Sequence, residues 1–403
     1  MKTLFTILLA VIFGQIVSAG TVSGVVLYQG DSTRPINSVT VALKGIDNST
    51  IATYLTGPDG VYVFNDVPAG SYTLRGVKTL PGGGVTMLDA TLVFLHILGF
   101  YPFDAIQSLA ADVNGSGTIT LTDYSMIMYH VLRHSPFPVG EWVFLTETFT
   151  VTDLKDSHPG GLTGSSAGDV GGVFVPGTRN LPAYPMTNAG TIKVSSEEPF
   201  NVSIKATQPM SISGTGLIIN YPSDIVTIQS VEFPMSNFEY VIDGDQIRLI
   251  WNDPEGSNLN LKPGSELITI HCTANGNFTE GMKASFTLDG NTSIVSNTYT
   301  EITDAGLQAP TIEYTKPSLR LSNYPNPFGA STTLAYYLPR NGSVTLTLYD
   351  QSGQVVREYN QGEQTEGYHS MLVEGSGLTP GSYFCKISLS GSETQTIRLL
   401  KSL

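Results

Sequence analysis

The chain has 403 residues, enough for two to four domains on length alone. Its net charge is −14 with only 13% charged residues, and Gly, Ser, Thr and Val are plentiful. That balance suits an exported, mainly β protein; it lacks the basic stripe that a nucleic-acid partner requires, while its acidity suits cations such as calcium.

Lys2 precedes a largely apolar run from Leu4 to Phe13, followed by Val17-Ser18-Ala19 with small residues at −3 and −1 of a cleavage site. This predicts a secretory signal peptide over residues 1–19. No later stretch reaches the roughly 18 apolar residues of a transmembrane helix. Cys272 and Cys385 lie 113 residues apart in what read as different domains. Small buried hydrophobes are expected there rather than a disulfide.

Residues 20–77 alternate strand and turn. Val22 to Tyr28 and Val39 to Leu43 read as strands, and Thr56-Gly57-Pro58-Asp59-Gly60 is a turn feeding Val61 to Phe64. Val67-Pro68-Ala69-Gly70 turns into Ser71 to Leu74. This segment resembles a carboxypeptidase-regulatory-like or collagen-adhesin B-type β-sandwich, usually a spacer.

A repeat follows over residues 78–135. Val85-Thr86-Met87-Leu88-Asp89 matches Ile119-Thr120-Leu121-Thr122-Asp123, 34 residues later. Each Asp is expected to start an apolar-periodic helix, Asp89 to Leu98 and Asp123 to Leu132. Leu92/Met126, Val93/Ile127, Ile97/Val131 and His96/His130 fall at equivalent offsets. Ahead of the second helix, Asp112 to Asp123 reads as a twelve-residue calcium loop. Asp112, Asn114, Ser116, Thr120 and Asp123 bring side-chain oxygens, Thr118 sits at the backbone-carbonyl position, and Gly117 permits the sharp turn. Calcium is a hard cation wanting six to eight oxygens. With two carboxylates, and Asp rather than Glu at the last position, the expected affinity is weak, roughly 10⁻⁴–10⁻³ M. An Asn-Gly turn capping the helix at Thr122 or Asp123 is the competing reading.

Two loop-helix units joined by a connector, Gly99 to Ala110, resemble a dockerin, the calcium-dependent module that plugs into a cohesin. The first loop is degenerate, with Lys78 at its first position and Gly82-Gly83-Gly84 offering no side-chain ligand. One calcium site is expected.

Residues 136–188 are expected to be a trailing segment and linker. Thr146 to Val151 is strand-like, and Ala167-Gly168-Asp169-Val170-Gly171-Gly172 echoes Ala111-Asp112-Val113-Asn114-Gly115. Asp169 either supplies an oxygen to the ligand-poor first half or makes an ordinary Asp-Gly turn. Thr178 to Thr187 reads as linker.

Residues 189–303 hold about eight short strands, which imply a β-sandwich, a jelly roll being the expected form. Tyr221-Pro222, Asp224-Ile225-Val226, Leu249-Ile250-Trp251-Asn252-Asp253 and Gly264-Ser265-Glu266-Leu267-Ile268-Thr269-Ile270 occur in an order that resembles a cohesin or a related carbohydrate-binding sandwich. Trp251 lies inside an apolar strand and is expected in the core; exposed, it would stack on a sugar ring.

After a linker at 304–317, residues 318–403 resemble the C-terminal sorting domain of the type IX secretion system. The motifs are Tyr324-Pro325-Asn326-Pro327-Phe328, Val344 to Gly353 and Leu378-Thr379-Pro380-Gly381-Ser382-Tyr383-Phe384, with Lys401 near the end. The resemblance implies export across both membranes, through the type IX machinery, to the surface or beyond.

The fold class is thus mainly β: tandem β-sandwiches with a small helical dockerin-like calcium module between the first two. His96, His130, His134, His158, His271 and His369 show no His-Glu-x-x-His spacing, and neither a nucleophile elbow nor a phosphate loop occurs. The expected function is non-catalytic surface or extracellular assembly through cohesin- or dockerin-like partners, self-association included. A carbohydrate-binding accessory protein with a polysaccharide partner is the alternative, and a hydrolase the third reading.

Overall fold

A computed structural model describes residues 19–152, 161–176, 183–195, 199–253, 256–316 and 318–402. The expected signal peptide, apart from its last residue, lies outside them, as do His158 and part of the expected linkers. The fold is mainly β, as expected, and the described residues hold three helices, one more than the two expected. Among the described residues no helix is long and apolar enough to cross a membrane.

The first sandwich uses eight strands: β1 (Ala19–Tyr28), β2 (Thr40–Gly45), β3 (Thr50–Leu55), β4 (Val61–Pro68), β5 (Gly70–Val77), β6 (Trp142–Phe144), β7 (Glu147–Val151) and β8 (Leu162–Ser166). One sheet runs β4-β1-β8-β6 and the other β3-β2-β5-β7. Between β5 and β6 lie the helices α1 (Met87–Ile97), α2 (Ala105–Ala111) and α3 (Leu121–Arg133).

The helical module is therefore inserted within the first sandwich, and the segment from 142 to 166 is not a mere trailer. β7 pairs antiparallel with β5, and β8 pairs parallel with β1. Trp142, Val151 and Leu162 close the core around Val26, Tyr28, Val41 and Leu74. Sequence periodicity marks a strand but not which distant edge it completes. Leu162–Ser166, rich in Gly and Ser, has weak β-propensity of its own.

The middle sandwich packs two six-stranded sheets. Strand Leu307–Tyr314, within the expected 304–317 linker, pairs antiparallel with Phe200–Ala206 and parallel with Met186–Val194. Its alternating Leu307, Ala309, Ile312 and Tyr314 enter the core, with Pro310 inside the strand. The 178–187 linker is likewise shorter than expected, since its last two residues begin strand Met186–Val194. Trp251 is buried, as its strand pattern indicated.

The C-terminal sandwich pairs a three-stranded with a four-stranded sheet around Leu334, Tyr336, Leu346, Cys385 and Leu399. Both cysteines are free and buried, in different sandwiches. Burial pushes each thiol up to about 12. Neither is expected to react with Ellman's reagent at pH 8 in the native protein, whereas both should react in denaturant. A fast native titration would contradict this packing.

Candidate calcium loop and docking face

Both repeat helices begin on the same device. Thr86 and Thr120 are N-caps with extended backbones, and Asp89 and Asp123 stand three residues on, completing capping boxes. Asp123 Oδ2 accepts from Thr120 N–H at 3.0 Å and from its hydroxyl at 3.1 Å. The helices thus start just after the threonines, at Met87 and Leu121, two residues before the expected Asp89 and Asp123. The expected connector from 99 to 110 contains α2, whose own box of Asp104 and Gln107 was a readable signal that sequence reasoning passed over.

The six expected loop residues share one tight turn. Asp112 Oδ1 accepts from Ser116 N–H at 3.0 Å, and Oδ2 from Gly117 N–H at 2.7 Å. Asn114 Oδ1 also accepts from Ser116 N–H at 2.8 Å, and Asp123 Oδ1 accepts from Asn114 N–H at 3.3 Å. Ser116 donates to the Thr118 carbonyl at 3.0 Å. Gly115 and Gly117 have φ of 72° and 83°, in the left-handed region that favours glycine. The Thr120 hydroxyl is engaged by the cap, donating to Asp123 and accepting from Thr122 N–H.

Asp123 is fully buried, whereas Ser116, Thr118 and Thr120 are exposed, so the donor arc opens to solvent on one side. Among the described residues no three His, Cys, Asp or Glu side chains cluster. The loop's donors are two carboxylates plus neutral amide, hydroxyl and carbonyl oxygens, a hard set that fits calcium rather than zinc or copper.

His96 and His130 hold turns of the chain. His96 Nδ1 lies 2.9 Å from the Tyr101 carbonyl with its ring stacked on Phe103, and His130 Nδ1 lies 2.8 Å from the Ser135 carbonyl with its ring on Phe137. Each ties down the turn after its helix.

Helices α1 and α3 lie across the outer face of the sheet containing Met210–Asn220 and Gln246–Asn252. Along the second strand Ile247, Leu249 and Trp251 point into the sandwich, which turns Arg248, Ile250 and Asn252 outward. Ile250 and Val295 join the helical core with Met87, Val131 and Leu132. Asn252 Nδ2 donates to the Tyr124 hydroxyl at 3.1 Å. Arg248 donates to the Val131 carbonyl at 3.4 Å, placing a cation at the negative end of α3. A Cβ on Gly216 would stand 3.1 Å from Val131 Cγ1 and 3.4 Å from Met87 Cβ. The missing side chain lets the helices reach the sheet.

Residues 82–132 match the Dockerin type I domain family, and residues 322–401 match the Secretion system C-terminal sorting domain. No curated protein matches the chain. Similar solved structures include a type I cohesin–dockerin complex from Clostridium thermocellum, 14% identical over 32% of this chain and 98% of that one, with a TM-score of 0.27. CaCohA2 from Clostridium acetobutylicum is 14% identical over 32% and 89%, at 0.27. The major pilin subunit BcpA of Bacillus cereus is 9% identical over 95% of each chain, at 0.30. The chain thus carries a dockerin type I module and a sorting domain. It is a modular protein secreted by the type IX route to the cell surface or extracellular space, with association through the dockerin module.

Proposed function

We propose that this is a non-catalytic secreted protein in which a calcium-braced helix pair docks onto the chain's own middle sandwich, a cohesin-like partner held in cis. The observation that carries this is the outer sheet face, where Gly216 clears room for α1 and α3 while Arg248 and Asn252 bond to the helical module. Such a face matches a helix pair as a cohesin would. A second copy that exchanges helices would use the same contacts in trans, giving self-association.

Calcium is the proposed cofactor, held by Asp112, Asn114, Ser116, the Thr118 carbonyl and Asp123, with Thr120 acting through the helix cap. By sealing the loop it fixes the start of α3, and hence the docking surface. The proposed division of the chain keeps the cohesin-like sandwich and the C-terminal sorting domain as separate units. It places the helical module inside the first sandwich. Burial of Trp251 removes the one sugar-stacking residue singled out from the sequence.

Titration calorimetry of the full chain should show one calcium per chain with a Kd of roughly 10⁻⁴–10⁻³ M. Heat indistinguishable from dilution at millimolar calcium would sink the assignment.

A further inference from the structure

We propose that the cleft between α1, α2 and the turn at 298–301 of the middle sandwich binds an organic cation, a primary ammonium carried on an apolar stem. The cleft is a cavity of about 740 Å³, of the size that small ligands occupy, and it lies where two folded units meet. None of the calcium-loop residues lines it.

Its apolar floor comes from α1. Leu88, Leu92 and Leu95 fall at helical spacing and line the cavity. The helix then closes in a turn where Gly99 N–H donates to the His96 carbonyl and Phe100 N–H to the Leu95 carbonyl, both at 2.9 Å. That turn delivers Phe100 and Tyr101 to the rim, 76% and 39% exposed. Across the cleft Tyr299 sits at the tip of a turn in which Ser296 N–H donates to the Thr300 carbonyl at 2.8 Å. Its φ is 58°, a left-handed conformation that is strained for a bulky aromatic. Glycine would sit there unstrained; tyrosine puts a ring on the cavity wall.

Most polar groups of the wall are already engaged. Gln107 donates to the Val170 carbonyl at 3.0 Å and accepts from Asp104 N–H at 3.1 Å. The Thr298 and Thr300 hydroxyls lie 2.9 and 2.8 Å from Ser296 Oγ. A sugar, with a hydroxyl on nearly every carbon, would find few free partners here.

Glu301 differs. It is the one carboxylate that lines the cavity, and it is half-buried. No Lys, Arg or His among the described residues pairs with it. Burial and the nearby Asp169 carboxyl oppose its charge, and the Ser293 hydroxyl is the single hydrogen bond that favours it. An ammonium group set against Glu301 relieves that conflict, while its stem covers the leucines. The aromatic rim adds attraction for a cation that reaches a ring face. Calcium fits worse, because it takes six to eight oxygens and this wall sets one carboxylate among leucines and rings.

The test is methyl NMR of the full chain with labelled leucines, titrated with hexylamine and with hexanol, which has the same stem without the charge. Hexylamine should shift the Leu88, Leu92 and Leu95 methyls saturably. It should bind roughly tenfold or more tightly than hexanol, as a hydrogen bond to a charged group implies. In Glu301→Gln, which keeps the shape and a polar end, that preference should vanish. Nα-acetyl-lysine methylamide, titrated alongside, separates the two sources of such a cation: tighter binding than hexylamine marks a peptide lysine, weaker binding a free amine. Equal binding of hexylamine and hexanol by the wild type, which needs no variant, would overturn the proposal. So would the absence of any saturable shift, a preference undiminished in Glu301→Gln, or leucine shifts produced by cellotetraose instead of the amine. The cavity uses the docked arrangement of α1 proposed above, and failure of that arrangement shows separately, as rapid proteolysis of the wild type between residues 78 and 141.

Discussion

Replacing Gly216 by phenylalanine is expected to pry α1 and α3 off the middle sandwich while leaving that sandwich folded. The residue faces outward, so the new ring enters the helix interface and not the sandwich core. Even a Cβ there would lie 3.1 Å from Val131 Cγ1. An alanine asks the neighbours to give by a few tenths of an ångström, and relief of strand glycine, about 0.5–1 kcal/mol, offsets that. Gly216→Ala should therefore be nearly neutral. A phenylalanine has no such room. Overpacking costs about 1–3 kcal/mol where a core can adjust, and more where two helices must move together.

Undocking also exposes Met87, Val131, Ile250 and Val295, so the variant should bind a hydrophobic dye that the wild type ignores. Calorimetry should resolve a separate transition for the helical module, and limited proteolysis should cut between residues 78 and 141 much faster. A Gly216→Phe protein with wild-type melting and wild-type proteolysis would show that the helices do not depend on this face.

Gly216 also marks where sequence reasoning stops. In a strand pattern a glycine reads as a weak spot, and only the packed helices reveal it as clearance. The contiguous loop was legible because all of its oxygens lie within twelve residues and alternate with glycines. The echo of Ala111-Asp112-Val113 in residues 167–170 is plain, but the Gly171 N–H bond to Asp89 depends on β8 returning that stretch beside α1. The capping threonines were readable in principle, since Thr-x-x-Asp precedes each apolar run; Asp123 was read as a ligand, and the competing cap was placed at Thr122 or Asp123 rather than at Thr120. Non-local pairing explains the completion of the first sandwich by β6 to β8 in the same way. Strand existence is written locally, but strand partnership is not.

Asp123→Ala is expected to cost stability twice, and the two parts can be separated. Asp123 is fully buried and accepts from Asn114 N–H, Thr120 N–H and the Thr120 hydroxyl. Removing the carboxylate deletes the capping box, worth about 0.5–2 kcal/mol, and orphans donors at about 1–3 kcal/mol for a buried group. That loss should appear without calcium.

The second part is linkage. At 10 mM calcium and a Kd of roughly 10⁻⁴–10⁻³ M, binding stabilises the folded state by about 1.4–2.7 kcal/mol, a rise of a few degrees in melting temperature. Asp123→Ala should lose that rise entirely. Asp123→Asn keeps an acceptor oxygen at the cap but removes the charge, so it should melt closer to the wild type in chelator and still show no rise with calcium. Asp112→Asn should likewise lose the rise. Differential scanning calorimetry of the three variants with and without calcium separates these outcomes. An Asp123→Asn protein that still gains several degrees would show that the stabilising ion sits elsewhere.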